Sequence, residues 1–174
     1  QVSSAVRDSA GHLRGSDFVP TSALNSATGT QQDQHLKARF IDARSPIPIP
    51  ITVSQETIVQ MTVAASDILL FRYQLMNNSP DKLTGLRFGF LSDFDLGNAD
   101  SVRYEAGLNM IWQSCPAGPF VGIVGLKNVT SFRSLANTGG KTGFNRSQLF
   151  DLISRTGIDV SSSVAVGDQM VMVS

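Results

Sequence analysis

Ile68-Leu69-Leu70-Phe71-Arg72-Tyr73-Gln74-Leu75-Met76 is the stretch that decides the fold class. Leu69, Phe71, Tyr73 and Leu75 recur at every second position, with Arg72 and Gln74 between them. Successive side chains point to opposite faces of a strand, so this spacing predicts a half-buried β-strand. Asn77-Asn78-Ser79-Pro80-Asp81-Lys82 follows, rich in residues that bond their own backbone, and reads as a turn. Leu86–Leu91 is the next strand, with Leu86, Phe88 and Phe90 on one face.

The same signal continues outwards. Downstream, Leu108–Gln113 places Leu108, Met110 and Trp112 on one face, and Cys115–Pro119 is a turn. Phe120–Leu126 is a strand whose Gly122 and Gly125 point to close backbone approach or a bulge. Asp159–Val166 and Gln169–Val173 are the last two strands. Upstream, Ile58–Ala64 alternates and Leu36–Ile41 is a short strand. Between 45 and 50 the alternating prolines remove every second backbone donor, which leaves only an edge or a polyproline-like crossing. One helix is predicted. Asn145 is its N-cap with Gln148 three residues on, Phe144 and Leu149 form a staple, and Leu149, Leu152 and Ile153 form the apolar stripe. Gly157 is its stop. These elements predict a mainly-β chain, an antiparallel β-sandwich with one short helix in a connection. Residues 1–34 lack periodicity and read as an extended or loop-rich N-terminal arm in which Phe18 and Val19 are the anchors, leaving 35–174 as the sandwich domain.

Composition narrows the class. Of the 174 residues, 41% are hydrophobic and 16% charged; about 25% charged is usual. Ser, Thr, Asn, Gln and Gly supply the polarity, a profile that suits an extracellular or periplasmic β-protein. Fourteen basic and fourteen acidic residues cancel, so net charge makes no case for nucleic acid or an anionic membrane. No apolar run approaches the roughly 18 residues that span a bilayer. Residues 1–15 carry no apolar signal core. The chain starts without methionine and stops at Met170-Val171-Met172-Val173-Ser174, within a strand pattern. It reads as a piece of a larger secreted or cell-surface protein whose signal peptide lies outside it. The single cysteine, Cys115, forms no internal disulfide; it sits in a turn, and only His12 and His35, both in the least patterned region, are available as a base.

The chemistry-bearing residues gather after Leu91. Ser92-Asp93-Phe94-Asp95-Leu96-Gly97-Asn98-Ala99-Asp100 ends a strand in three carboxylates. Alternation puts Asp93 and Asp95 on one face, and Gly97 lets Asn98 and Asp100 fold back. Hard oxygen donors in such a cluster suit Ca²⁺, with Asp93, Asp95 and Asp100 as the metal ligands. The spacing is not an EF-hand: Gly97 is at the fifth position and no glutamate stands at the twelfth. The competing readings are aspartates that cap turn amides, with Arg103 as counter-ion, and a carboxylate pair for glycoside hydrolysis. Hydrolysis needs an aromatic-lined cleft, and only Phe94, Tyr104 and Trp112 are near. Gly139-Gly140-Lys141-Thr142-Gly143 resembles a phosphate loop, but Leu135 stands where its first glycine belongs. Asn77, Asn128 and Asn145 open formal glycosylation sequons at near-chance frequency.

Several of these pieces together resemble a non-catalytic β-sandwich module of bacterial secreted proteins. They are Ile51–Glu56, Phe71–Ser79, Leu83-Thr84-Gly85-Leu86 with Gly89, Asp93-Phe94-Asp95-Leu96-Gly97, Gly122-Ile123 and Asp159-Val160-Ser161. Such modules often follow a subtilisin-like protease domain or occur in cell-surface proteins with sorting tails. The resemblance covers roughly residues 33–174, and Phe94 stands where family members more often have tryptophan. It implies an accessory domain without catalytic residues. The implied partner is a neighbouring domain of the same polypeptide, a surface protein or a polysaccharide, and not nucleic acid. A carbohydrate-binding module and a hydrolase using Asp93 and Asp95 are the alternatives.

Overall fold

The computed structural model describes residues 6–15, 17–22, 25–27, 33–60, 67–94, 96, 101–116, 118–127, 129–136, 146–160 and 167–173. The fold is mainly β; among the described residues the strand pairings are antiparallel with one exception, and there is one short α-helix. The chain divides into two compact units, Gln1–Thr84 and Gly85–Ser174.

In the first unit, β1 (Val6–Arg7) and β2 (Leu13–Arg14) form a hairpin within the 1–34 segment. One carboxylate organises its loop. Asp8 Oδ1 accepts from the backbone N–H of Ala10 at 3.0 Å and of His12 at 2.8 Å, and Oδ2 accepts from Arg14 Nε at 3.1 Å. Gly11 supplies the left-handed turn residue, at φ 81°. β3 (Val19–Pro20) and β4 (Asn25–Ala27) both pair with the edge of β5 (Asp33–Ile41). β5 pairs with β6 (Ile51–Gln60), and β6 with β7 (Leu69–Asn77).

The proline segment between β5 and β6 shows how a donor-poor chain is satisfied. Pro46, Pro48 and Pro50 have no N–H. Of the residues between and after them, Ile47 donates to Ser45 Oγ at 3.2 Å, Ile49 to Asp42 Oδ2 at 3.0 Å and Ile51 to the Ile49 carbonyl at 2.7 Å. The turn after β7 is closed by its own side chains. Asn77 Nδ2 donates to the Asp81 carbonyl at 2.7 Å, while Ser79 N–H and Oγ both donate to Asn77 Oδ1 at 3.0 Å. The core of this unit is Phe18, Ile51 and Val53, with Phe40, Ile49, Tyr73, Leu75 and Leu83 against it. The alternation of β7 holds only at its C-terminal half. Tyr73 and Leu75 join the core, but Leu69 and Phe71 remain 57% and 42% exposed because the core ends before them.

The second unit is a small sandwich. One sheet orders β11 (Phe120–Val124), β10 (Met110–Ser114) and β9 (Ser101–Glu105). The other orders β13 (Gly157–Asp159), β12 (Ser131–Ala136), β14 (Gly167–Val173) and β8 (Gly89–Asp93). β12 and β13 are the parallel pair, and helix α1 (Arg146–Ser154) lies in the connection between them. Gly157, at φ 89°, takes the left-handed turn from helix to strand. Asn145 and Phe144 lie outside the described residues, and so does the 161–166 part of the strand expected at Asp159–Val166. Val102, Ile111 and Phe132 form the core from both sheets, with Phe94, Tyr104, Val121, Ile123, Val129 and Val160 around it. The rings of Tyr104 and Phe132 meet at 5.0 Å.

Two expected faces are displaced. β8 starts at Gly89, so Leu86 precedes the strand and is 45% exposed, while Asp93 is the last strand residue, opposite Gln169. In β10 the inward residues are Ile111 and Gln113, both buried; Met110 and Trp112 are half-buried on the opposite face. Leu108 belongs to a 3-10 turn, Ala106–Leu108, and is 59% exposed. That turn ends at Asn109 in the left-handed region, φ 49°, which sets the phase of β10. Asn109 Nδ2 donates to the Gly125 carbonyl at 2.7 Å and its Oδ1 accepts from Tyr104 OH at 3.1 Å. A Cβ on Gly125 would lie 2.6 Å from Val129 Cγ2, so this close approach requires glycine.

Candidate functional site

The acidic loop is tied down at its start. Gln113 Nε2, buried in the core, donates to the Phe94 carbonyl at 2.6 Å, and Leu96 N–H donates to the same oxygen at 3.1 Å. Phe94 itself packs against Val102, Ile111 and Phe132. Of the expected metal ligands, Asp93 has its backbone in β8, and its side chain lies outside the described residues. Asp95, Asn98 and Asp100 lie wholly outside them. Among the described residues no group of three or more His, Cys, Asp or Glu stands together as a metal site. Arg103, the expected counter-ion, has its guanidinium 5.5 Å from the Trp112 ring centroid, a cation–π distance.

Both histidines belong to the first unit. His12 Nδ1 is 3.6 Å from Asp8 Oδ2 in the β1–β2 hairpin, and His35 Nδ1 is 3.9 Å from Glu56 Oε1 on β5 and β6. Cys115 is in the second unit, where its Sγ fills the space a Cβ on Gly118 would need. Asn77 is engaged by its own turn. Asn128, Asn145 and the Gly139–Gly143 loop lie outside the described residues.

Two surfaces emerge outside the acidic loop. On the first unit, register puts Lys37, Glu56 and Arg72 side by side across β5, β6 and β7. Glu56 Oε1 is 3.3 Å from Lys37 Nζ, and Oε2 accepts from Arg72 Nη1 at 3.0 Å. Its signal is a cross-strand pairing, which no local window contains. On the second unit, the outer face of the β9–β10–β11 sheet carries Arg103, Met110, Trp112, Phe120 and Val124. Phe120 is 74% exposed and packs edge-on against Trp112, ring centroids 6.5 Å apart at 78°. Leu126 and Leu108, outside the strands, are 71% and 59% exposed. The alternation of Phe120, Gly122 and Val124 is that face's signal in the sequence.

Behind the second sheet, Arg133 is buried opposite Phe132. Its Nη1 donates to Asp159 Oδ2 at 2.8 Å and its Nη2 to the Thr156 carbonyl at 3.0 Å, which stitches the chain leaving α1 to β12. Among the described residues no helix is long and apolar enough to cross a membrane. No protein-family model, no curated protein and no solved structure matches the chain.

Proposed function

We propose that this chain is a non-enzymatic, extracellular β-sandwich module of a larger secreted or cell-surface bacterial protein, of the kind that accompanies subtilisin-like protease domains. Its task is to pack against a neighbouring domain of the same polypeptide. The observation that supports this reading is the outer face of the β9–β10–β11 sheet, where exposed Phe120 and Val124 stand beside half-buried Trp112 and Met110 while the opposite face is core. Contiguous apolar surface of this sort marks an interaction site. The chemistry favours a protein over a sugar polymer. Arg103 lies over the Trp112 ring, which takes one face of the indole from a stacking sugar.

Titration of the adjoining domain of the parent protein into this chain tests the reading, alongside a panel of soluble polysaccharides. Binding to the domain that Trp112→Ala weakens at least about tenfold, roughly 1.4 kcal/mol, is the expected result. Retardation by a polysaccharide without domain binding would replace it with a carbohydrate-binding module. Hydrolysis of a glycoside that Asp93→Asn and Asp95→Asn abolish would replace it with a hydrolase.

A further inference from the structure

β11 is an end strand of its sheet, and its sequence, Phe120-Val121-Gly122-Ile123-Val124, contains neither a charge nor a proline. Edge strands are ordinarily guarded by such residues, since their free N–H and C=O groups invite another strand. Among the described residues no strand pairs with the outer edge of β11, where Gly122 is exposed and Phe120 and Val124 are 74% and 44% exposed. The strand also has the same pattern in both directions. β-Branched residues flank Gly122 on either side, inward and half-buried, and exposed apolar residues stand outward at 120 and 124. Antiparallel pairing about a two-fold axis brings such a pattern onto itself with inward facing inward.

We propose that β11 pairs with β11 of a second copy, antiparallel and centred on Gly122, joining two three-stranded sheets into one of six. In that register Val121 opposes Ile123 of the partner subunit and Phe120 opposes Val124 of the partner subunit. Glycine at the centre has a local cause. A Cβ on Gly122 would lie 3.0 Å from Met110 Sδ and 3.2 Å from Trp112 Cβ, so these neighbours already occupy the space above the strand. A foreign strand can use the same main-chain edge; the two-fold pattern about Gly122 is what selects a second copy. Two five-residue edges with one aromatic each fall at the small end of interfaces, below about 1,200 Å², so the dimer forms weakly and with concentration. Edge pairing leaves the outer apolar face free, so it stands independently of the domain-packing reading.

Sedimentation equilibrium of the whole 174-residue chain over a wide concentration range tests this. The weight-average mass is expected to climb from the monomer's 18.7 kDa towards that of the dimer. Phe120→Glu and Val124→Lys, each alone, place an unpaired charge on the edge and weaken association at least about tenfold. The double variant sets opposite charges against each other across the two-fold and restores it. Hydrogen exchange of the β11 amides slows as concentration rises. An unchanged Trp112 unfolding transition shows that the variants still fold. A mass of 18.7 kDa at every concentration overturns the proposal, as does a double variant weaker than either single one.

Discussion

The two units solve the same problem with different materials. The first builds its sheet from long antiparallel strands, β5 to β7, and buries Phe18, Ile51 and Val53 near one end. Its ion-paired network, Glu56 with Lys37 and Arg72, lies at the surface, and its buried polar side chains Asp42 and Ser45 serve the proline segment before β6. The second uses short strands in two sheets, and its buried set includes Gln113, Ser131 and Arg133 beside Val102, Ile111 and Phe132. Short strands bury too few apolar residues each to define their own register. In the second unit, buried side-chain hydrogen bonds to the backbone, Gln113 to Phe94 and Arg133 to Thr156, tie loops to strands of the core itself. Such bonds are costly to break because the released group stays buried.

The sharpest way to break the comparison is to empty one core and watch the other. Phe132→Ala should cost the second unit about 3–5 kcal/mol. Trp112, the only tryptophan, lies in that unit, so its fluorescence follows that transition alone. Amide exchange in β5 to β7 should stay unchanged; if those strands open too, the units are one cooperative block. The converse is Val53→Ala, at about 2 kcal/mol from lost methyl groups and the cavity left behind. It should speed exchange in β6 and β7 and leave the Trp112 transition where it was.

The role of buried polar groups is tested by Arg133→Lys. An ammonium cannot hold Asp159 and the Thr156 carbonyl as the guanidinium fork does, so a loss of about 1–3 kcal/mol is expected in urea unfolding. Lys37→Ala, on the exposed network of the first unit, should cost no more than about 1 kcal/mol. Equal losses at the two sites would erase the contrast between buried and surface polar networks.

Alkaline pH should touch the first unit through Tyr73. Burial holds its phenol above the ordinary 10.0. The stabilisation by the neutral ring is whole below the unfolded value and is lost as pH rises through the folded one. Thermal midpoints of the first unit should therefore fall above that pH, and Tyr73→Phe should remove its share of the fall. The smallest effect is local. The backbone N–H of His12, followed by Arg14, holds Asp8 below its ordinary 3.8. Its contribution is present above that value and lost as pH falls through the folded one, so the β1–β2 hairpin amides should lose protection first in acid.

Elements whose signal is local were legible. The alternation before Asn77, the Asn-Ser turn chemistry and the helix stop at Gly157 each depend on neighbours within a few residues, and the structure has β7, the side-chain-closed turn and α1 there. The face of β10 was not legible. Leu108, Met110 and Trp112 outweigh Ile111 and Gln113 in apolar character, but Asn109 in the left-handed region resets the phase, and Gln113 bonds the carbonyl of Phe94, far off in sequence. The hairpin at Asp8 was hidden for a related reason: a single carboxylate, rather than an apolar pattern, assembles it.

By itself the sequence determined a mainly-β, antiparallel chain with one helix, because period and turn chemistry are properties of adjacent residues. Only the tertiary structure decided which alternating face is core, where the chain divides into Gln1–Thr84 and Gly85–Ser174, and that Phe120 and Trp112 meet on an open surface. Those outcomes depend on register between strands distant in sequence. A one-residue slip exchanges the two faces of a strand, and a single chain's local pattern does not set that register.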